Sequence, residues 1–158
     1  MSPHRRKPNI NTSEVELMPE FQFAVSVDCV IFGFDENTLK VLLIKSDLDT
    51  FRNKWTLLGD LVRPDEDLDE ASYRVLNERT GLDTIYLEQV HAFGAVQRHP
   101  AGRVVTVAYY SLVNVKQTRL RLMDNELHWR AVHEVSHMAF DHQRILETCY
   151  RTLQRKIQ

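Results

Sequence analysis

The chain has 158 residues, of which 43% are hydrophobic and 27% charged, and its formal net charge is −2. These values are typical of one globular domain, and the balanced charge gives no overall attraction to nucleic acid or to an anionic membrane. Cys29 and Cys149 are the only cysteines, which argues against a disulfide framework and favours the cytoplasm. No apolar stretch approaches the roughly 18 residues of a membrane span.

The first 19 residues are polar and lack any periodic pattern. They predict a flexible tail over residues 1–19, followed by one folded domain over residues 20–158. The tail carries a basic cluster at residues 4–7, but one short cluster contributes little affinity for nucleic acid. We therefore expect the functional residues in the folded domain.

Runs of apolar and β-branched residues predict several strands. Residues 21–34 and 39–45, separated by a polar turn, predict a hairpin whose two strands are largely buried. Further strands are predicted over residues 55–62, 84–96, 103–115 and 127–132.

Two amphipathic helices are predicted among these strands. Pro64 and the acids after it favour a helix over residues 66–80, and Gly81 supplies a left-handed residue at its end. The second helix is predicted over residues 140–156. One central and one terminal helix indicate an α/β (α+β) fold in which a mixed β-sheet is sandwiched between helices.

The first helix carries a row of charged residues at four-residue spacing. The row consists of Glu66, Glu70, Arg74 and Glu78. Residues three or four apart share a helix face, so Arg74 is placed to pair with acids on either side. Carboxylates at positions 75, 78 and 79 would suit Mg²⁺, which prefers oxygen ligands and bridges to diphosphates. Two of these positions instead hold Val75 and Arg79.

The stretch LLGDLVRPDEDLDEASYRVLNERTGL, residues 57–82, resembles the Nudix box of the Nudix superfamily. Six positions match at the right spacing, namely Glu66, Arg74, Leu76, Glu78, Gly81 and Leu82. Three positions depart from the pattern, because Asp60 replaces a glycine and Val75 and Arg79 replace glutamates. The flanking KWTLLG and AFDH stretches are also similar, and the resemblance implies a Nudix fold over roughly residues 20–158.

The departures bear on metal binding and catalysis. In the superfamily the residues at the places of Val75 and Arg79 are the principal metal ligands. Two positive charges about 4 Å apart repel by several kcal/mol at an effective dielectric constant near 20, so Arg79 opposes a bound cation. The resemblance therefore implies no resident metal and no catalytic residue. The surviving residues of the box are Glu66, Arg74 and Glu78, and the weak metal candidates are Glu66, Glu70 and Glu78.

Residues 92–113 and 138–153, together with the altered box, are similar to the Nudix-related transcriptional regulators. In that group a degenerate Nudix domain senses a small molecule, and a winged helix-turn-helix that follows it reads DNA. The resemblance implies an effector that is an ADP-ribose-like nucleotide or a sugar, and a homodimer. DNA contact is expected only through a winged helix, for which the residues up to Gln158 leave no room, so this chain is expected to be either part of a longer regulator or a stand-alone relative.

The effector is expected in the cleft beside the altered helix. The expected contacts are Asp60, Arg79, Arg98, Arg103 and Tyr109. Arg98 and Arg103 flank a turn between two strands, where guanidinium groups suit phosphate or sugar oxygens; a solvated hairpin tip is the alternative. Tyr109 offers a ring or hydroxyl to the ligand, and a packed core strand is its alternative. Arg79 replaces a metal ligand and is expected to contact a phosphate directly.

Two other functions are compatible with the sequence. An active Mg²⁺-dependent hydrolase of a nucleoside diphosphate derivative such as ADP-ribose would use the box glutamates in an altered geometry. The HEVSH stretch at residues 133–137 matches the zinc-protease signature, which requires both histidines on one helix. Here it directly follows a predicted strand and has no clear third ligand, so we expect no zinc site.

Overall fold

The computed structural model describes residues 18–46, 53–120 and 127–157. Within them lie seven strands and two helices. In chain order they are β1 (Ala24–Asp35), β2 (Thr38–Lys45), β3 (Trp55–Thr56), β4 (Leu58–Leu61), α1 (Leu68–Thr80), β5 (Glu88–Phe93), β6 (Val104–Asn114), β7 (Leu127–Ala131) and α2 (His142–Lys156). Most of the predicted flexible tail, residues 1–17, lies outside the described residues. Neither helix is long and apolar enough to cross a membrane.

Strand β1 lies in the middle of one mixed sheet. β6 runs parallel to it over nearly its whole length, from Ala24 opposite Val104 to Phe34 opposite Asn114. On the other side, β4 and then β2 pair with β1 in the antiparallel sense. β3 and β7 extend the sheet from β2, and β5 extends it from β6. The mixed sheet predicted from the sequence is confirmed.

Each face of the sheet carries its own apolar cluster. Successive side chains of a strand point to opposite faces, so Val27, Cys29 and Ile31 lie on the α1 face. Val30 and Phe32 lie on the α2 face. The helices complete the clusters with Ala71, Val75 and Leu76 from α1, and with Ile145, Leu146, Cys149 and Leu153 from α2. The two helices therefore sandwich the sheet, as predicted.

The ends of the two helices are set by local hydrogen bonds and backbone conformation. α1 begins at Leu68, because Glu70 accepts a hydrogen bond from the backbone N–H of Asp67 (3.0 Å) and so caps the helix there. It ends at Thr80, and the Gly81 that follows has a left-handed φ of 78°, as predicted. α2 begins two residues later than predicted, because Phe140 has a φ of 51° that interrupts the helical backbone.

The predicted strand over residues 55–62 is divided into β3 and β4 at Leu57. The backbone N–H of Leu57 donates to His142 Nδ1 (3.0 Å), the first residue of α2. This hydrogen bond joins the sheet to the start of α2. The strand predicted over residues 84–96 is also shorter, because only Glu88–Phe93 pair with β6.

Candidate functional site

A cavity of about 460 Å³ opens beside β4, and its walls come from β1, β4, the last turn of α1 and the start of α2. The expected ligand contacts Asp60, Arg79 and Arg98 line it. The polar and charged residues that line the cavity also include Ser26, Asp28, Lys45, His99, Thr106 and His142. The structure therefore gathers three of the five expected contacts around one volume large enough for a small ligand.

Arg79, on the last turn of α1, is the exposed cation of this wall. Its Nη2 donates to the backbone oxygen of Gly59 (3.2 Å), which leaves its other N–H groups without a protein acceptor among the described residues. Asp60 follows Gly59 and accepts from the backbone N–H of Leu61 (2.8 Å). The cavity rim thus combines a guanidinium with a carboxylate, a pair suited to an anionic ligand that also carries hydroxyl groups.

Arg74 is at the centre of the part of the box that matches the Nudix pattern, and its side chain is largely buried. Its guanidinium donates to both oxygens of Glu66 (2.6 and 2.9 Å), to Asp60 (3.0 Å) and to the backbone oxygen of Leu61 (2.9 Å). Glu78 lies 3.6 Å from it. The hydrogen bond from Arg74 lowers the pKa of Glu66 to about 2. Glu66 is therefore occupied in bracing α1 against the chain that follows β4.

The residues of the altered box do not fit a Mg²⁺ site. Val75 is 1% exposed and packs in the apolar cluster under α1. Arg79 places a guanidinium at the cavity, Glu66 is paired with Arg74, and Glu70 caps α1. Within residues 18–46, 53–120 and 127–157, no three histidine, cysteine or acidic side chains come together as metal ligands. Glu66 and Glu70 therefore stabilise α1, one through an ion pair and the other through a cap.

Arg98 is a buried link between the β5–β6 connection and α2. Its guanidinium forms a bidentate pair with Asp141 (2.8 Å for both bonds) and donates to Thr106 Oγ1 (2.6 Å). The side chain is only 4% exposed. The alternative of a solvated hairpin tip is wrong for Arg98, because its donors are taken by groups of the protein. Arg98 lines the cavity as a structural support.

Two other expected contacts lie away from the cavity wall. Arg103 donates to the backbone oxygen of Gly94 (2.6 Å) and lies over the ring of Phe23. Tyr109 is 1% exposed in the cluster under α1, and its hydroxyl donates to Asp69 (2.7 Å). Burial, together with this hydrogen bond, raises the pKa of Tyr109. The geometry at Tyr109 is that of the packed core strand that the sequence offered as its alternative.

The sequence did not predict the floor of the cavity. Asp28 lies there, with a side chain 7% exposed, and His142 Nε2 is 3.6 Å from its Oδ2. Burial raises the pKa of Asp28. His99 stacks on Phe140 beside this pair, with ring centroids 4.7 Å apart. A lone aspartate inside the apolar run VSVDCVIF was the available signal for this floor.

The HEVSH stretch does not form the helix that a zinc-protease site requires. Val132–Glu134 make a single 3-10 turn, and His137 has a left-handed φ of 58°. Helix α2 starts only at His142, five residues after that histidine. His133 and His137 therefore do not lie on one helical face.

Two known proteins are similar to this chain over most of its length. The ADPR responsive transcriptional repressor NtrR of Acinetobacter baylyi is 34% identical over 137 residues, which make up 84% of this chain and 55% of that protein. The chain thus spans little more than half the length of this relative. An ADP-ribose pyrophosphatase of Methanocaldococcus jannaschii is 28% identical over 130 residues, covering 81% of this chain and 73% of that protein.

Among solved structures, the NUDIX domain of Shewanella oneidensis NrtR in complex with ADP ribose is similar, with a TM-score of 0.74 and 26% identity. The match covers 91% of this chain and 99% of that domain. The family model of the NUDIX domain matches residues 22–151, most of the folded chain. The protein is therefore a member of the Nudix family.

Proposed function

We propose that this Nudix domain binds an ADP-ribose-like nucleotide as the effector-sensing part of a transcriptional regulator and does not hydrolyse it. The position of Arg79 carries the proposal. Its guanidinium is exposed at the cavity wall, where the Nudix box has an acidic metal ligand. A direct bond from this group to a diphosphate would contribute about 1.5–3 kcal/mol, without a bridging cation.

The state of the other box residues supports binding without hydrolysis. Glu66 is engaged with Arg74, and Val75 is buried under α1. A hydrolase of this family would need acidic groups at these positions free to hold a cation beside the diphosphate. The arrangement instead stabilises α1 and leaves a fixed positive charge to meet the ligand.

The relatives support ADP-ribose as the ligand class. One is named as an ADPR responsive repressor, one as an ADP-ribose pyrophosphatase, and one Nudix domain was crystallised with ADP ribose. A regulatory role belongs to a whole protein, and this chain matches 55% of the repressor. We therefore propose, for the whole protein, that it regulates genes and contacts DNA through a winged helix outside this chain.

Two alternatives compete with this function. The 28% identity to an ADP-ribose pyrophosphatase favours an active Mg²⁺-dependent hydrolase of ADP-ribose. A free sugar such as arabinose is the alternative effector; it has no phosphate for Arg79 and would depend on Asp60, Glu78 and hydroxyl contacts. The hydrolase would form AMP from ADP-ribose, and the sugar-responsive regulator would bind arabinose.

The test combines a binding and a hydrolysis measurement on the same protein. ADP-ribose and arabinose are titrated calorimetrically in EDTA, and ADP-ribose is then incubated with Mg²⁺ while AMP is measured by chromatography. We expect saturable binding of ADP-ribose, no binding of arabinose and no AMP. A turnover near about 1 s⁻¹, within the usual enzyme range, would overturn the proposal.

We also propose that the regulator acts as a homodimer. Paired DNA half-sites require two-fold symmetry in the protein that reads them. Light scattering of the domain at tens of micromolar should give the mass of two chains. A monomer at that concentration would contradict the dimer and weaken the regulatory role.

A further inference from the structure

The cavity floor contains a buried carboxylate that lies outside the Nudix box. Asp28 has an even position in β1, so its side chain lies on the α2 face with Val30 and Phe32. Its side chain is 7% exposed, and that remainder lines the cavity. The partner of its carboxylate in the described part of the chain is His142 Nε2 at 3.6 Å, which is longer than an ordinary hydrogen bond.

The sheet is built to leave room for this carboxylate. Asp28 lies opposite Gly59 in the antiparallel pairing of β1 with β4. A Cβ at Gly59 would overlap Asp28 Oδ1, so only glycine at that position keeps the carboxylate where it is. The hydroxyls of Ser26 and Thr106, which are hydrogen-bonded to each other (2.6 Å), line the same floor. The floor is therefore a small polar recess rather than a gap in the apolar core.

His142 is oriented so that it supports Asp28. Its Nδ1 accepts a hydrogen bond from the backbone N–H of Leu57 (3.0 Å), so a neutral ring carries its proton on Nε2, the atom that faces Asp28. The interaction orients the carboxylate without saturating it, since each of its oxygens can accept more than one hydrogen bond. A buried carboxylate with few donors is costly, and a ligand that supplies O–H donors would offset that cost.

Among the described residues, the cations of the cavity that form no ion pair lie apart from its buried carboxylate. Arg79 and Lys45 lie on its wall and Asp28 on its floor. The nearby Arg98 is already paired with Asp141. This separation suits a ligand that is anionic in one part and carries neutral hydroxyl groups in another. Adjacent hydroxyls on a sugar ring suit the two oxygens of a carboxylate, and an acidic side chain on a ribose hydroxyl is a general device of nucleotide sites.

We propose that Asp28, held by His142, is the specificity-determining residue of the cavity and accepts hydrogen bonds from the adjacent hydroxyls of one ribose of the bound nucleotide. The inference rests on the proposed function, since ADP-ribose supplies both the phosphates and the ribose hydroxyls. In this arrangement the phosphates contact the cavity wall, and the ribose contacts the cavity floor.

The experiment compares the full chain with its Asp28→Asn variant by calorimetry. The probes are ADP-ribose and two analogues, each lacking the 2-hydroxyl of one of its two riboses. We expect the unmodified protein to bind one analogue about tenfold more weakly than ADP-ribose. Asp28→Asn should bind ADP-ribose about tenfold more weakly and should no longer distinguish it from that analogue.

Asp35→Asn is the matched control, because Asp35 lies on the same strand, pairs with Lys40 and is absent from the cavity wall. It should keep the affinity and selectivity of the unmodified protein. The analogue comparison in the unmodified protein does not depend on how the variant folds. Equal binding of all three probes, or a preference that survives in Asp28→Asn, would overturn the role of Asp28. Absence of any ADP-ribose binding in the unmodified protein would instead overturn the proposed function.

Discussion

Arg79 at the end of α1 donates a hydrogen bond to the backbone oxygen of Gly59, with 3.2 Å between Nη2 and the oxygen. This bond brings the cation that replaces a metal ligand to the edge of β4, beside the cavity. Gly59 in turn makes room for Asp28 on the floor of that cavity. A change in the box is thereby coupled to the shape and charge of the cavity.

Reversal of the charge at position 79 tests the role of that cation. Arg79→Glu removes an exposed cation and its hydrogen bond to Gly59 from the last turn of α1, so we expect the free energy of unfolding to fall by about 1 kcal/mol. ADP-ribose binding in EDTA should weaken by at least about tenfold, because a carboxylate repels the diphosphate. Mg²⁺ should restore part of the affinity, because the new acid and Glu78 can share a cation.

Titration calorimetry gives the affinity of Arg79→Glu for ADP-ribose in EDTA and in Mg²⁺. If Arg79→Glu bound ADP-ribose in EDTA as tightly as the unmodified protein, the position of the phosphates inferred from Arg79 would be wrong.

Val75→Glu would restore the second acidic position of the box. We expect this variant to be poorly tolerated, since Val75 is buried under α1.

The ion pair of Glu66 and Arg74 predicts a dependence of stability on pH. The pKa of Glu66 is lowered from 4.5 to about 2 in the folded protein, mainly by its hydrogen bond with Arg74. Because the folded pKa is the lower one, the stabilisation is complete above the unfolded pKa and is lost as the pH falls from about 4.5 towards about 2. Glu66→Gln should therefore be less stable than the unmodified protein at pH 6.5, by a margin that shrinks below pH 4.5.

Urea unfolding at several pH values checks this dependence. Glu147→Gln, an exposed position on α2, is the control for the general loss of a carboxylate. A difference between Glu66→Gln and the unmodified protein that stays constant from pH 6.5 to pH 3 would show that the ion pair does not act as described.

The buried pair of Arg98 and Asp141 predicts a large effect on stability. Arg98→Met would leave Asp141, only 23% exposed, without its bidentate partner. Removal of one member of such a pair costs about 3–5 kcal/mol, so we expect a decrease near the lower end of that range. Arg103→Met is the matched control, because Arg103 has no buried acidic partner among the described residues: it donates to a backbone oxygen and lies over the exposed ring of Phe23, so its loss should cost less than about 1 kcal/mol.

Urea denaturation measures both variants. Equal destabilisation by Arg98→Met and Arg103→Met would contradict the structural role of Arg98. Asp141 precedes α2, so Arg98→Met should also lower the affinity for any ligand whose site includes the start of that helix.

The sequence predicted the fold well, because its local patterns are strong. Glycine at position 81, the apolar stripe of α1 and the run of apolar and β-branched residues along β1 each determine an element without help from distant residues. The mixed sheet follows from these elements once two helices must cover its faces.

The site was predicted less completely, because long-range contacts define it. Arg98 was expected to contact the ligand from a turn between two strands, but its pairing with Asp141, 43 residues later, buries it. Asp28 was not predicted as a site residue, since only the opposing Gly59 and the distant His142 make it part of a cavity. Arg79 was identified early, because a departure from a box position is visible in the sequence alone.

The most direct test of the account is a calorimetric titration of ADP-ribose, in EDTA, into Arg79→Ala beside the unmodified protein. Arg103→Ala is the matched control, since Arg103 also carries a guanidinium but does not line the cavity. We predict saturable binding to the unmodified protein, affinity lower by about tenfold to a hundredfold in Arg79→Ala, and no change in Arg103→Ala. Binding to Arg79→Ala as tight as to the unmodified protein would contradict the central claim that Arg79 takes the place of the metal in holding the diphosphate.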